Sequence, residues 1–210
     1  MGGRGSSSGG FGGGGGISSA DILSTTSFIS ERGNYQATVD DALSTLKDFG
    51  EQYDFVLDDL QMATLSADAS SAIAYYDGKN MGWNEKFMDK DALDKAYESS
   101  VKSGFHPKLG NKSSVQAVAS HEIGHALTAE VGKKIGTHDI DKASRQILKD
   151  AKKQTRHKDM YSLASKISGY AKQKPAETVA EAVCDVYCNG KKARKESQAI
   201  VNVINGYLKK

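Results

Sequence analysis

The stretch SVQAVASHEIGHALTAEV, residues 114–131, constrains this chain more than any other, because its spacing makes chemical sense only on a helix. On a helix, residues four apart share a side. His121 and His125 therefore project together, and each can give a ring nitrogen to one metal ion, zinc being the usual choice for such a pair. Glu122, beside the first histidine, points toward the side of the metal where a water would bind. Ala119, Ile123, Ala126 and Leu127 supply an opposite, buried stripe, and Ser113 or Ser114 can cap the helix.

Two histidines need a third ligand. A glycine and a further histidine at positions 128 and 131 would give the metzincin pattern, but the chain has Thr128 and Val131. The other source is a later helix, PAETVAEAVCDVYC, residues 175–188. There Glu177, Glu181, Cys184 and Cys188 share one face, and Val179, Val183, Val186 and Tyr187 form the apolar side. One glutamate would ligate, and the other would accept a hydrogen bond from the free nitrogen of a ligand histidine. Spacing alone leaves the two glutamates nearly equal, and a solvated acidic face at a helix start is the competing reading.

HEIGH, followed some fifty residues later by GYAKQKPAETVAEAVCDVY, resembles the gluzincin metallopeptidases. The likeness is strongest to the catalytic domain of anthrax lethal factor and to related zincin domains of bacteriophage head proteins. It covers roughly residues 106–189 and a pattern of the form Y-x-x-x-N-x-x-E-x-x-A-E-A, which Tyr170, Glu177, Ala180, Glu181 and Ala182 match. Lys174 stands where the pattern has asparagine. The resemblance implies that His121, His125 and Glu177 bind Zn²⁺, that Glu122 is the general base, that Tyr170 donates to the oxyanion and that Glu181 supports a ligand histidine. The implied activity is hydrolysis of peptide bonds by a zinc-activated water. The glycine-rich start and the loop GFHPK also look like phage-encoded members. Possible partners are then a protein or peptide substrate and phage head or assembly proteins. The alternative is a phage structural protein that keeps a zinc-binding zincin fold without general proteolysis.

The expected fold class is α+β: a predominantly helical zincin-like domain with a small sheet or hairpin before the HExxH helix. With 210 residues the chain has room for one ordinary domain. Residues 1–16, MGGRGSSSGGFGGGGG, read as a disordered Gly/Ser-rich tail, because such residues cannot repay the entropy of ordering. Residues 17–210 read as a single metallopeptidase domain. Met1-Gly2 with Ser6 fits the myristoylation pattern, but a match in so biased a segment carries no weight. Modest helical signals run from Ile17 to Leu65, clearest where Val39, Ala42, Leu43 and Leu46 recur. Ala72 to Asn84 reads as a hairpin turning at Asp77-Gly78, and an edge strand there could bind an extended substrate. Helices follow at 89–104, ended by Gly104, and then at 139–153, 158–167, 175–188 and 194–208.

The net charge is +2, and no apolar run of about 18 residues occurs, so neither a membrane nor nucleic acid is an expected partner. Residues 133–174 concentrate lysine and arginine, read as a solvated helical face. A nucleic-acid module in which HEIGH is accidental is the third reading. An apolar signal core is missing from the first sixteen residues, so the expected location is the bacterial cytoplasm or a virion. Cys184 and Cys188 read as reduced core thiols, His138 and His157 as solvated, and His106 as either a turn residue or a neighbour of the site.

Overall fold

A helix buried on every side organises the chain. The computed structural model describes residues 22–24, 35–53, 61–65, 73–76, 78, 80–84 and 87–209. The expected tail at 1–16, its myristoylation pattern, and hairpin residues Ala72 and Asp77 lie outside these. Strand β1 is Ile22–Ser24, helix α1 Gln36–Gln52, and strands β2, β3 and β4 are Gln61–Leu65, Ala74–Tyr76 and Asn80–Asn84. Helices α2 (Lys90–Lys102), α3 (Ser114–Lys134), α4 (Ile140–Thr155), α5 (Met160–Ala164), α6 (Pro175–Asn189) and α7 (Lys195–Leu208) follow, with a 3₁₀ turn at Tyr170–Lys172 before α6. The architecture is predominantly helical α+β.

α3 carries the two histidines. Ser113 caps it in a reciprocal box with Gln116. Within 114–128 every residue but Gln116 is buried, so the single apolar stripe expected from sequence is replaced by burial all round. The reason is its company: α1, α2, α4, α6, α7 and β3 all pack on it. Its small polar residues stay satisfied inside, Ser120 Oγ donating to the Ala117 carbonyl and Thr128 Oγ1 to that of Gly124, both at 2.8 Å. Asp41 on α1 anchors the start of α3, accepting from Ser113 Oγ and from Lys90 Nζ, each at 2.7 Å.

The four strands lie in the order β1-β2-β4-β3. β3 and β4 form the expected hairpin, antiparallel with Tyr75 opposite Gly82, and Gly78 between them takes φ 98°. β2 joins β4 in parallel, Met62 opposite Met81, and β1 joins β2 antiparallel. The helical expectation over Ile17 to Leu65 is therefore wrong for β1 and β2. Each is short, and each takes its hydrogen bonds from residues distant in sequence, which local periodicity does not report. β3 is an edge of the sheet among the described residues, and it packs on α3.

The helix expected over 158–167 shortens to α5 and a turn, with Asp159 capping at Ser162. His157 is not solvated: its Nε2 lies 2.9 Å from Glu196 Oε1, with both side chains largely buried. His138 is exposed, as expected. Among the described residues, no helix is long and apolar enough to cross a membrane.

Candidate metal centre

The site forms where α3 meets α6, and the contact is close because both helices present small residues. A Cβ placed on Gly124 would lie 2.7 Å from Ala180 Cα. Pro175 opens α6 at its first turn, where its missing N–H costs nothing. Glu177 thus stands within the first turn, facing α3. His121 Nε2 lies 3.0 Å from Glu177 Oε2, and His125 Nε2 lies 3.6 Å from the same oxygen. Tetrahedral donors about 2.0–2.1 Å from zinc stand roughly 3.3 Å apart. The two distances bracket that spacing.

Among the described residues, His121, His125 and Glu177 are a buried group that could hold a metal ion, their donor atoms all within 4.8 Å of one another. Unsatisfied polar atoms at the same place support the fit. His125 has no hydrogen-bond partner on either ring nitrogen, and Glu122, 0% exposed, has none on either carboxylate oxygen, among the described residues. Buried polar groups are normally paired. An ion on His125 Nε2, with a water on its open side near Glu122, would supply partners to that nitrogen and to the Glu122 carboxylate, though not to His125 Nδ1. Two imidazoles and one carboxylate also suit a transition ion or zinc better than calcium or magnesium, which prefer oxygen alone.

Glu181, one turn beyond Glu177, is held from three directions. His121 Nδ1 lies 2.9 Å and His106 Nδ1 3.0 Å from its Oε1, and Ser168 Oγ donates to Oε2 at 2.6 Å. Ser168 in turn accepts from Ala171 N at 2.9 Å. The structure thus brings Glu181 to the nitrogen of His121 opposite the one facing Glu177. His106 belongs to the site rather than to a simple turn. Its ring stacks on Tyr97 at 5.1 Å between centroids, and Tyr97 Oη lies 3.8 Å from Cys184 Sγ. Cys184 and Cys188 are buried free thiols, as expected. Tyr170 lies over the group, its ring centre 5.8 Å from that of His121 and 5.2 Å from that of His106.

Electrostatics follow from this burial. Desolvation raises the Glu122 carboxyl above its usual range, opposed by the charges of His121 and His125. Desolvation would also raise Glu181, yet the charge and hydrogen bond of His106, with those of His121, hold it down at about 2. Glu177 is likewise driven low despite its burial, by His125 and His121. His121, between the two carboxylates, is raised well above the ordinary histidine value although burial works against it.

His121, Glu122, His125, Tyr170, Glu177 and Glu181 all stand out in the sequence, and the structure brings all six together. Ser168, and the contact of Lys174 Nζ with Glu177 Oε1 at 3.5 Å, have no such signal there. Backbone pairing sets both Ser168 and His106: Gly169 N donates to Gly104 O and Tyr170 N to Phe105 O, each at 2.9 Å. No protein-family model, curated protein or solved structure matches the chain. The fold and site define a mainly helical α+β protein with a buried His–His–Glu group able to hold a metal ion.

Proposed function

We propose that the chain is a zinc-dependent peptidase of the gluzincin kind, possessing the HExxH base and a glutamate third ligand. The observation that carries this reading is the convergence, from two helices, of His121, His125 and Glu177 with an unpartnered buried carboxylate, Glu122, beside them. His121, His125 and Glu177 would hold a zinc ion, which when bound would supply a Lewis acid to polarise the scissile carbonyl and acidify a water. Glu181 fixes the ring orientation of His121. Glu122 takes a proton from the attacking water and returns it to the leaving amine. The Tyr170 phenol donates to the carbonyl oxygen as negative charge builds there, and β3 offers an edge along which an extended peptide can lie.

One observation favours the alternative, a phage structural or assembly protein that uses bound zinc for stability alone. The ligands are nearly closed off, His121 being 4% and His125 1% exposed. A single comparison separates the two. The full chain and Glu122→Gln are assayed for bound zinc by elemental analysis and for cleavage of an unstructured protein. Stoichiometric zinc in both, with cleavage at least about 10²-fold slower in the variant, is the expected result. Zinc in both with no cleavage by either selects the structural role, and equal cleavage by both overturns the assigned base.

A further inference from the structure

Lys174 is the residue just before α6, and its stem leads in from solvent, the side chain being 39% exposed. Its backbone is fixed, because the Lys174 carbonyl accepts from Thr178 N at 3.1 Å and from Thr178 Oγ1 at 3.3 Å. The ammonium group ends 3.5 Å from Glu177 Oε1. The other oxygen of that carboxylate, Oε2, faces His121 and His125. The two oxygens of one ligand carboxylate are thus divided between a cation on the rim and the histidine pair within.

We propose that Lys174 is a positioning residue that ties down Oε1 of Glu177, so that this carboxylate meets the metal through Oε2 alone. The inference rests on the metal reading above. A carboxylate can bind a metal through one oxygen or both, and in a catalytic zinc site three protein donors leave a fourth position for water. A second oxygen from Glu177 would crowd that position. An ammonium is a compact point charge with rotatable donors, so it can engage Oε1 without demanding a fixed angle. Its charge also has a cost: placed beside a divalent ion, it repels the metal.

These two effects give a signature that a merely structural lysine lacks. Replacing Lys174 by Met keeps the stem but removes the charge and the donor. Oε1 of Glu177 then loses its contact with the ammonium, and the repulsion is gone. Metal binding should become tighter, by roughly tenfold, the equivalent of a modest change in charge interaction, while coordination number rises. A lysine needed only for folding would give the opposite sign, weaker binding with unchanged coordination.

The experiment loads the full chain with Co²⁺, whose visible absorption is intense in four-coordinate sites and weak in more crowded ones. Wild type, Lys174→Met and Lys174→Arg are compared, with affinity measured against a competing chelator. The expected result is a several-fold loss of visible intensity with tighter binding in Lys174→Met, and the wild-type spectrum in Lys174→Arg, which restores charge and donor. An unchanged spectrum in Lys174→Met at equal metal loading overturns the role given to Lys174 and leaves the metal site standing. Wild-type protein that takes up no Co²⁺ and no Zn²⁺ overturns both together.

Discussion

Glu181 and Glu177 are chemically the same residue one turn apart, yet their surroundings assign them different work. Glu181 meets His121, His106 and Ser168, three donors that nearly fill its acceptor capacity. Glu177 meets Nε2 of both His121 and His125. Glu181→Ala should therefore retain metal but bind it about 10- to 100-fold more weakly, the usual cost of losing a partner that orients a ligand histidine. Glu177→Ala should lose stoichiometric binding. Competition against a chromophoric chelator measures both, and a reversed order would exchange the two roles. Helical spacing made both glutamates visible in the sequence, since i and i+4 fix a shared face before any tertiary structure is known. It could not rank them. The ranking resides in His106 and Ser168, which come from loops joined through the Gly104–Gly169 and Phe105–Tyr170 hydrogen bonds, and no local pattern announces such a pairing.

The helices themselves were largely legible, because capping residues and apolar recurrence are local. Asp89 accepts from Ala92 N at the start of α2, Asp139 from Asp141 N and Lys142 N at the start of α4, and Gly104 takes φ 72° after α2. The closeness of α3 to α6 was not legible, although its cause is one letter of HEIGH. Gly124 gives the helix no advantage by propensity, and its reason is the Ala180 backbone against it. Gly124→Ala should cost roughly 1–3 kcal/mol through overpacking and weaken metal binding by forcing α6 outward. Gly206 is the control. It lies within α7 with nothing within 4 Å of an added Cβ, so Gly206→Ala should be neutral or stabilise by up to about 1 kcal/mol. Urea midpoints of the two variants should move in opposite directions or, at least, only the first should fall. A fall of equal size in both would remove the special status of the α3–α6 contact.

At the scale of the molecule, the site lies at the most heavily shared junction of the fold, since α3 and α6 each also pack on α4 and α7. The metal-free protein must keep Glu122, Glu177 and Glu181 buried there, all 0% exposed, beside two histidines. Desolvated carboxylates are costly unless paired, and Glu122 has no hydrogen-bond partner among the described residues. An ion that binds the folded state alone removes part of that cost and stabilises by about 2.7 kcal/mol at a hundredfold excess over Kd. For a chain of this length each kcal/mol moves Tm by roughly 2–4 °C. Exhaustive chelation should therefore lower Tm by about 5–10 °C, and Zn²⁺ should restore it while Mg²⁺ and Ca²⁺ do not, because two of the three donors are imidazoles. Without metal, Glu122→Gln should melt at or above the wild-type temperature, having exchanged a buried, unpartnered carboxylate for a neutral amide. Glu177→Ala should show no metal-dependent shift. Thermal melts followed by circular dichroism, with and without chelator, measure all of these. A wild-type Tm indifferent to both chelation and zinc would mean that the junction of α3 and α6 is held by packing alone, and that the His–His–Glu group has no metal to hold.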